Sequence, residues 1–159
     1  MSTNSSPTTG DEAPDFQLFT DENEAWRLSE HLESPVLLLF FPGAFTSVCT
    51  TELNTVNNDL DRFRDVQVVG ISTDSPFVLS EFRSVHNFSF PLLSDHDADV
   101  SALYGTKYEG DFTPMNLDRI AKRSAFVIDE DRIVRYREVL NNAGNQPDFD
   151  AIADVLSEL

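Results

Sequence analysis

Cysteine is nearly missing from this chain of 159 residues, and Cys49 is the only one. That excludes an internal disulfide and a zinc knuckle. A single domain of this length buries about two thirds of its unfolded surface without a covalent staple. Lysine is almost as scarce: Lys107 and Lys122 are the only two among 11 basic residues, set against 28 Asp and Glu for a formal charge of −17. With no basic stripe to displace counterions from phosphates, nucleic acid is excluded as a partner. Glycine is sparse too; Gly43 stands alone with no Lys-Ser/Thr pair after it, so there is no phosphate-cradling loop. No apolar run approaches the length of a membrane span, which excludes a bilayer-spanning helix. Residues 1–10 lack the basic start and apolar core of a secretory signal. They read as a disordered polar tail ahead of a domain over residues 11–159. A lone thiol fits a reducing, cytoplasmic setting.

The acidic residues are scattered (Asp59, Asp61, Asp65; Asp95, Asp97, Asp99; Asp129, Glu130, Asp131) and read as a solvated surface. This suits a high-salt cytosol, where a Debye length of ~3 Å at 1 M screens self-repulsion. An ordinary acidic protein is the alternative.

Strand and helix patterns alternate along the chain. After Ala13-Pro14-Asp15-Phe16 a short strand or hairpin is expected with Phe16 and Leu18 inward, then an amphipathic turn over residues 26–32. Residues 36–41, all apolar, predict a strand covered on both faces. Cys49, Leu53, Val56, Leu60 and Phe63 recur at intervals of four and three and predict one apolar helical stripe, with Glu52 and its polar neighbours off it. A second buried strand is expected over 66–72. Asp74-Ser75-Pro76 then supplies an N-cap and a Pro in the first turn of a helix to about His86. A short strand at 90–93, a short helix over 97–104 stopped by Gly105, an exposed loop over 106–122, a hairpin of 124–128 with 133–140, and a closing helix over 148–159 complete the pattern. The order predicts an α/β fold, a thioredoxin-like three-layer sandwich with a central mixed β-sheet. Strand order stays open.

Cys49 follows the apolar strand and Pro42-Gly43, at the mouth of a helix. Free N–H groups and the positive helix end there favour S⁻ over SH. The apolar stripe also allows Cys49 to be one more core residue. His31, His86 and His96 show no paired metal-ligand spacing, so no metal is expected. A phosphatase would want an Arg about six residues after the nucleophile, where the chain has Thr55.

Pro42-x-x-x-Thr46-x-x-Cys49 resembles the peroxiredoxin active-site signature. Ala13-Pro14-Asp15-Phe16 before it, Asp74-Ser75-Pro76 after the next strand, and Arg123 ahead of Ser124-Ala125-Phe126-Val127-Ile128-Asp129 are similar to peroxiredoxin landmarks in the same order, over residues 11–140. The resemblance implies a thiol-dependent peroxidase for hydrogen peroxide and small organic hydroperoxides, needing no cofactor. By the same resemblance, Cys49 attacks the peroxide and becomes a sulfenic acid, Thr46 and Arg123 position the oxidant, Pro42 shields the sulfur, and Glu52 orients Arg123. Each has a plainer alternative: Thr46 as an N-cap, Pro42 as a strand stop, Arg123 as a surface cation, Glu52 as a first-turn acid.

An ordinary cysteine, pKa ~8.5, is only about 3% ionised at pH 7, and a shift of two units gains only about 25-fold in thiolate. Activation of sulfur is therefore not the whole catalysis. The larger share should come from donors fixed where charge develops on the departing oxygen, a task for the Arg123 fork.

Many peroxiredoxins carry a second, resolving cysteine; in the Q-type (bacterioferritin-comigratory) group it can lie five residues on, where this chain has Asn54. The resemblance is thus to a compact 1-Cys member of the Q-type or E-type, recycled by an external thiol or a thioredoxin- or glutaredoxin-like reductant. A homodimer is expected, and an inter-subunit Cys49–Cys49 disulfide would need local unfolding. The rival reading is a peroxide sensor or chaperone-like binding module on the same fold.

Overall fold

The computed structural model describes residues 6–63, 65–109, 119–142 and 144–159. Seven strands form one mixed sheet: β1 (Gln17–Thr20), β2 (Ala25–Arg27), β3 (Val36–Phe40), β4 (Gln67–Ser72), β5 (Leu92–Ser94), β6 (Ser124–Ile128) and β7 (Val134–Val139), in the order β2-β1-β5-β4-β3-β6-β7. β3, β4 and β5 run parallel, while β1, β6 and β7 add to their neighbours antiparallel. Central β3 is buried at every residue, as an unbroken apolar run requires of a strand covered on both faces.

The pleat sorts that run into two cores. Val36, Leu38 and Phe40 join Val69, Ile71 and Phe126 on one face, where α3 (Asp99–Leu103) contributes Val100 and the neighbouring Tyr104 packs on Phe40 and Phe126. Leu37 and Leu39 join Val68, Ala125 and Val127 on the other face, beneath α1 (Ser47–Asn58), α2 (Pro76–His86) and α4 (Phe149–Ser157). These layers are the thioredoxin-like sandwich. α2 starts as its sequence predicts, with Ser75 Oγ accepting from Val78 N ahead of Pro76, and it stops at Asn87 in the left-handed region. Gly105 ends the α3 segment at φ +73, and a side chain there would also run into Ser6.

Two expectations are corrected. Residues 6–10 of the expected disordered tail are docked: Ser6 Oγ donates to Tyr104 O at 2.6 Å, Pro7 is buried, and Gly10 N donates to Val134 O at 2.8 Å. The edge backbone of β7 and the end of α3 satisfy polar groups that composition alone assigns to water; residues 1–5 lie outside the described residues. The expected loop over 106–122 has buried stems. Thr106, Tyr108 and Ala121 are enclosed, Lys107 bridges Ala121, and Tyr108 N donates to Ile120 O at 2.9 Å. A single antiparallel bridge with its flanking backbone hydrogen bonds joins the two stems, and residues 110–118 lie outside the described residues. Among the described residues, no helix is long and apolar enough to cross a membrane.

Candidate active site

The site forms where β3 ends and α1 begins. Phe41 N still donates to Ile71 O at 2.9 Å, continuing the ladder, and Pro42, which has no N–H, stops it while remaining buried. The loop then turns through Phe45 at φ +65, an uncommon conformation for a side chain of this size, with its ring resting on Phe82 at 5.0 Å between centroids. α1 begins at Ser47, two residues earlier than the apolar stripe suggests, so Cys49 stands in the first turn, where backbone N–H groups lack intrahelical partners.

Cys49 is 1% exposed and belongs to the apolar core with Leu53 and Val56. It is thus a core residue and, at once, a partner of a cation: Arg123 Nη1 donates to Cys49 Sγ at 3.2 Å. Strand pairing brings together these residues, 74 apart in sequence. Ser124 opposes Phe40 at the end of β3, which places Arg123 beside the exit to α1. Residues 123, 125 and 127 share one face of the strand, and Ala125 and Val127 lie in the core under α1, so Arg123 is turned to the helix carrying Cys49. Arg123 is 1% exposed; the surface-cation alternative is set aside.

Glu52, expected to orient Arg123 but placed off the apolar stripe, lies on the buried side of α1. It is fully buried on the face of Cys49, Leu53 and Val56, and its Oε1 accepts from Arg123 Nη1 at 2.6 Å. The earlier start of α1 puts it in the second turn, so the first-turn alternative fails. The signal was present in the i, i+3 spacing from Cys49, but an acid at a core position is discounted by any reading based on hydrophobicity. Burial raises the Glu52 carboxyl from 4.5 to about 7, with the Arg123 charge and hydrogen bond limiting the rise. Desolvation opposes the charge on Arg123, yet the facing Glu52 and Cys49 raise its pKa, and the guanidinium stays protonated. Glu52 Oε2 accepts no hydrogen bond among the described residues.

Thr46 occupies the N-cap position of α1 without a side-chain cap bond; its Oγ1 donates instead to Gly43 O at 2.8 Å. It is exposed, as is its neighbour Phe45. Asp74, noted in the sequence for its place ahead of α2 and within a peroxiredoxin-like landmark, reaches the same loop, its Oδ2 accepting from Ala44 N at 2.7 Å. His31 stacks on Trp26 and His86 on Phe88.

A thioredoxin-like sheet with a cysteine–arginine pair at a strand-to-helix junction is an arrangement that thiol-based redox chemistry can use. The AhpC/TSA family model matches residues 9–137. A Mycobacterium tuberculosis protein named as a peroxiredoxin is 37% identical over 151 residues, covering 92% of this chain and 91% of its own. Peroxiredoxin Bcp of Escherichia coli is 36% identical over 124 residues, 77% of this chain and 79% of its own. The crystal structure of peroxidoxin BcpB from Mycobacterium tuberculosis superposes with a TM-score of 0.84 at 32% identity, covering 96% of this chain and 98% of that one. The chain belongs to the AhpC/TSA family of peroxiredoxins. It is an oxidoreductase acting on peroxides, and its relatives include proteins named Bcp.

Proposed function

We propose that the chain is a 1-Cys thiol peroxidase for hydrogen peroxide and small organic hydroperoxides, in which Cys49 is the nucleophile. The observation that carries this reading is the Arg123 Nη1 contact with Cys49 Sγ at 3.2 Å, made between two buried side chains. Cys49 S⁻ attacks the nearer oxygen of R–O–O–H. The O–O bond breaks, Cys49 becomes S–OH, and the departing RO⁻ takes up a proton as ROH. Arg123 supplies N–H groups where negative charge develops, and low dielectric makes them count for more than in water. Glu52 holds the guanidinium in place. Thr46, whose own proton goes to Gly43 O, offers lone pairs to the peroxide O–H. Pro42 closes one side and keeps water from the sulfur.

With no second cysteine in the chain, the sulfenic acid is reduced by an external thiol. One thiol condenses with S–OH to a mixed disulfide and water; a second releases Cys49 SH and a disulfide. A reducing cytosol supplies such thiols or thioredoxin-like proteins, and the enzyme acts there as a homodimer. Hydrogen peroxide is neutral and indifferent to the charge of −17, whereas anionic lipid hydroperoxides are repelled at low salt.

Mass spectrometry after one equivalent of hydrogen peroxide tests the reading. Rapid gain of one oxygen on Cys49, trapped by dimedone and reversed by added thiol, is the expected result. Oxidation as slow as that of free cysteine would overturn it in favour of a binding module. Fast oxidation without turnover on any thiol donor would favour a sensor.

A further inference from the structure

Asp74 lies outside the residues that meet the peroxide, yet it is tied to one of them through a single peptide group. Ala44 N donates to Asp74 Oδ2 at 2.7 Å, and Gly43 O accepts from Thr46 Oγ1 at 2.8 Å. These are the two ends of the same planar Gly43–Ala44 peptide, so fixing one orients the other. A carboxylate on the N–H also polarises the amide and makes its carbonyl a better acceptor. Asp74 is itself held: Ser72 Oγ donates to Oδ2 at 2.7 Å, Asp74 N donates back to Ser72 Oγ at 3.2 Å, and Ser94 Oγ donates to Asp74 O at 2.6 Å. The anchor therefore stands on the carboxyl ends of β4 and β5, the stiff part of the sheet.

What this arrangement prevents is visible at α1. Thr at an N-cap ordinarily accepts from an N–H in the first turn, and Thr46 forgoes that bond. Capping would turn a hydroxyl lone pair into the helix. With its proton committed to Gly43 O, the hydroxyl keeps its lone pairs outward. The left-handed Phe45 sits between the two ends of this loop, and such strain persists only where the surroundings impose it.

We propose that Asp74 is a positioning residue that acts through the Gly43–Ala44 peptide to hold the Thr46 hydroxyl as an acceptor for the peroxide. This rests on the role given to Thr46 above. Without the carboxylate the peptide is free to rotate, and Thr46 relaxes into the helix cap.

The experiment compares Asp74→Ala, Asp74→Asn, Thr46→Val and Asp74→Ala/Thr46→Val by two rates on Cys49: oxidation by hydrogen peroxide and alkylation by iodoacetamide. Alkylation has no peroxide O–H to accept, so it reports on the sulfur and the fold alone. Asp74→Ala should slow oxidation about tenfold while alkylation stays within about twofold. Asp74→Asn, a neutral acceptor of the same shape, should fall between, and it carries the comparison if Asp74→Ala does not fold. The double variant should be no slower than Thr46→Val. The proposal alone is overturned if Thr46→Val loses rate and the Asp74 variants do not, if the two losses multiply, or if alkylation falls as far as oxidation in Asp74→Asn. Thr46→Val with undiminished oxidation would overturn the role of Thr46, and this proposal with it, leaving the Cys49–Arg123 chemistry standing.

Discussion

Arg123 reaches Cys49 through the same nitrogen that it gives to Glu52: Nη1 stands 3.2 Å from Cys49 Sγ and 2.6 Å from Glu52 Oε1. The guanidinium is held from behind by a buried acid and presented to the sulfur. A guanidinium fixes the directions of its N–H groups in one plane, whereas an ammonium on a flexible stem turns freely.

Removing that group should therefore separate peroxide chemistry from plain nucleophilicity. In Arg123→Ala, oxidation by hydrogen peroxide is expected to fall by about 10²–10³, with alkylation by iodoacetamide reduced far less. Arg123→Lys should recover little. Stopped-flow rates for both reagents on each variant check this, and equal losses for the two reagents would contradict it.

Glu52 links stability to pH in the direction opposite to that of a carboxylate whose pKa is lowered by folding. Its folded pKa is about 7, raised from 4.5 by burial. Between those values the folded protein holds a proton that the unfolded chain gives up. The stability from this group is thus full below 4.5, declines as pH rises to about 7, and is level above it. Urea unfolding of the wild type and of Glu52→Gln at a series of pH values isolates the effect: the wild type minus variant difference should fall across that window. A difference independent of pH would contradict the assignment.

Gly70 in β4 is close-packed rather than conformationally special. A Cβ there would stand 2.8 Å from Leu92 Cδ2 and 3.2 Å from Phe41 Cε1, both in buried side chains. Gly70→Ala should cost about 1–3 kcal/mol through overpacking between β4, β5 and the end of β3. Chemical denaturation measures it, and a neutral substitution would show that Leu92 has room to turn.

Salt should act on stability and leave the chemistry alone. With a net charge of −17, raising sodium chloride from roughly 0.1 to 1 M shortens the Debye length from about 10 to 3 Å. Tm should rise by several degrees or more, while the rate of Cys49 oxidation by neutral hydrogen peroxide stays nearly constant. A flat Tm would remove the case for a high-salt surface.

Local patterning determined a good deal of this molecule. The unbroken apolar run at residues 36–41, the four-and-three spacing from Cys49, the Ser75-Pro76 start of α2 and the hairpin across residues 129–132 each rest on neighbours within a few positions, so chain order alone specifies them. The signature around Pro42, Thr46 and Cys49 is equally local, and Arg123 is marked by the strand that follows it.

Tertiary structure decided what depends on residues far apart. Glu52 is polar in any hydropathy pattern, and only the approach of Arg123, brought by the pairing of β6 with β3, makes its burial tolerable. Residues 6–10 have the composition of a free tail, yet Tyr104 O and Val134 O offer them partners. The Thr46 hydroxyl has the local choice of capping α1, and a carboxylate 30 residues from Ala44 accompanies the other outcome. Periodicity records which side chains avoid water; it carries no record of which polar groups meet once they have left it, because those partners are chosen by strand order and register.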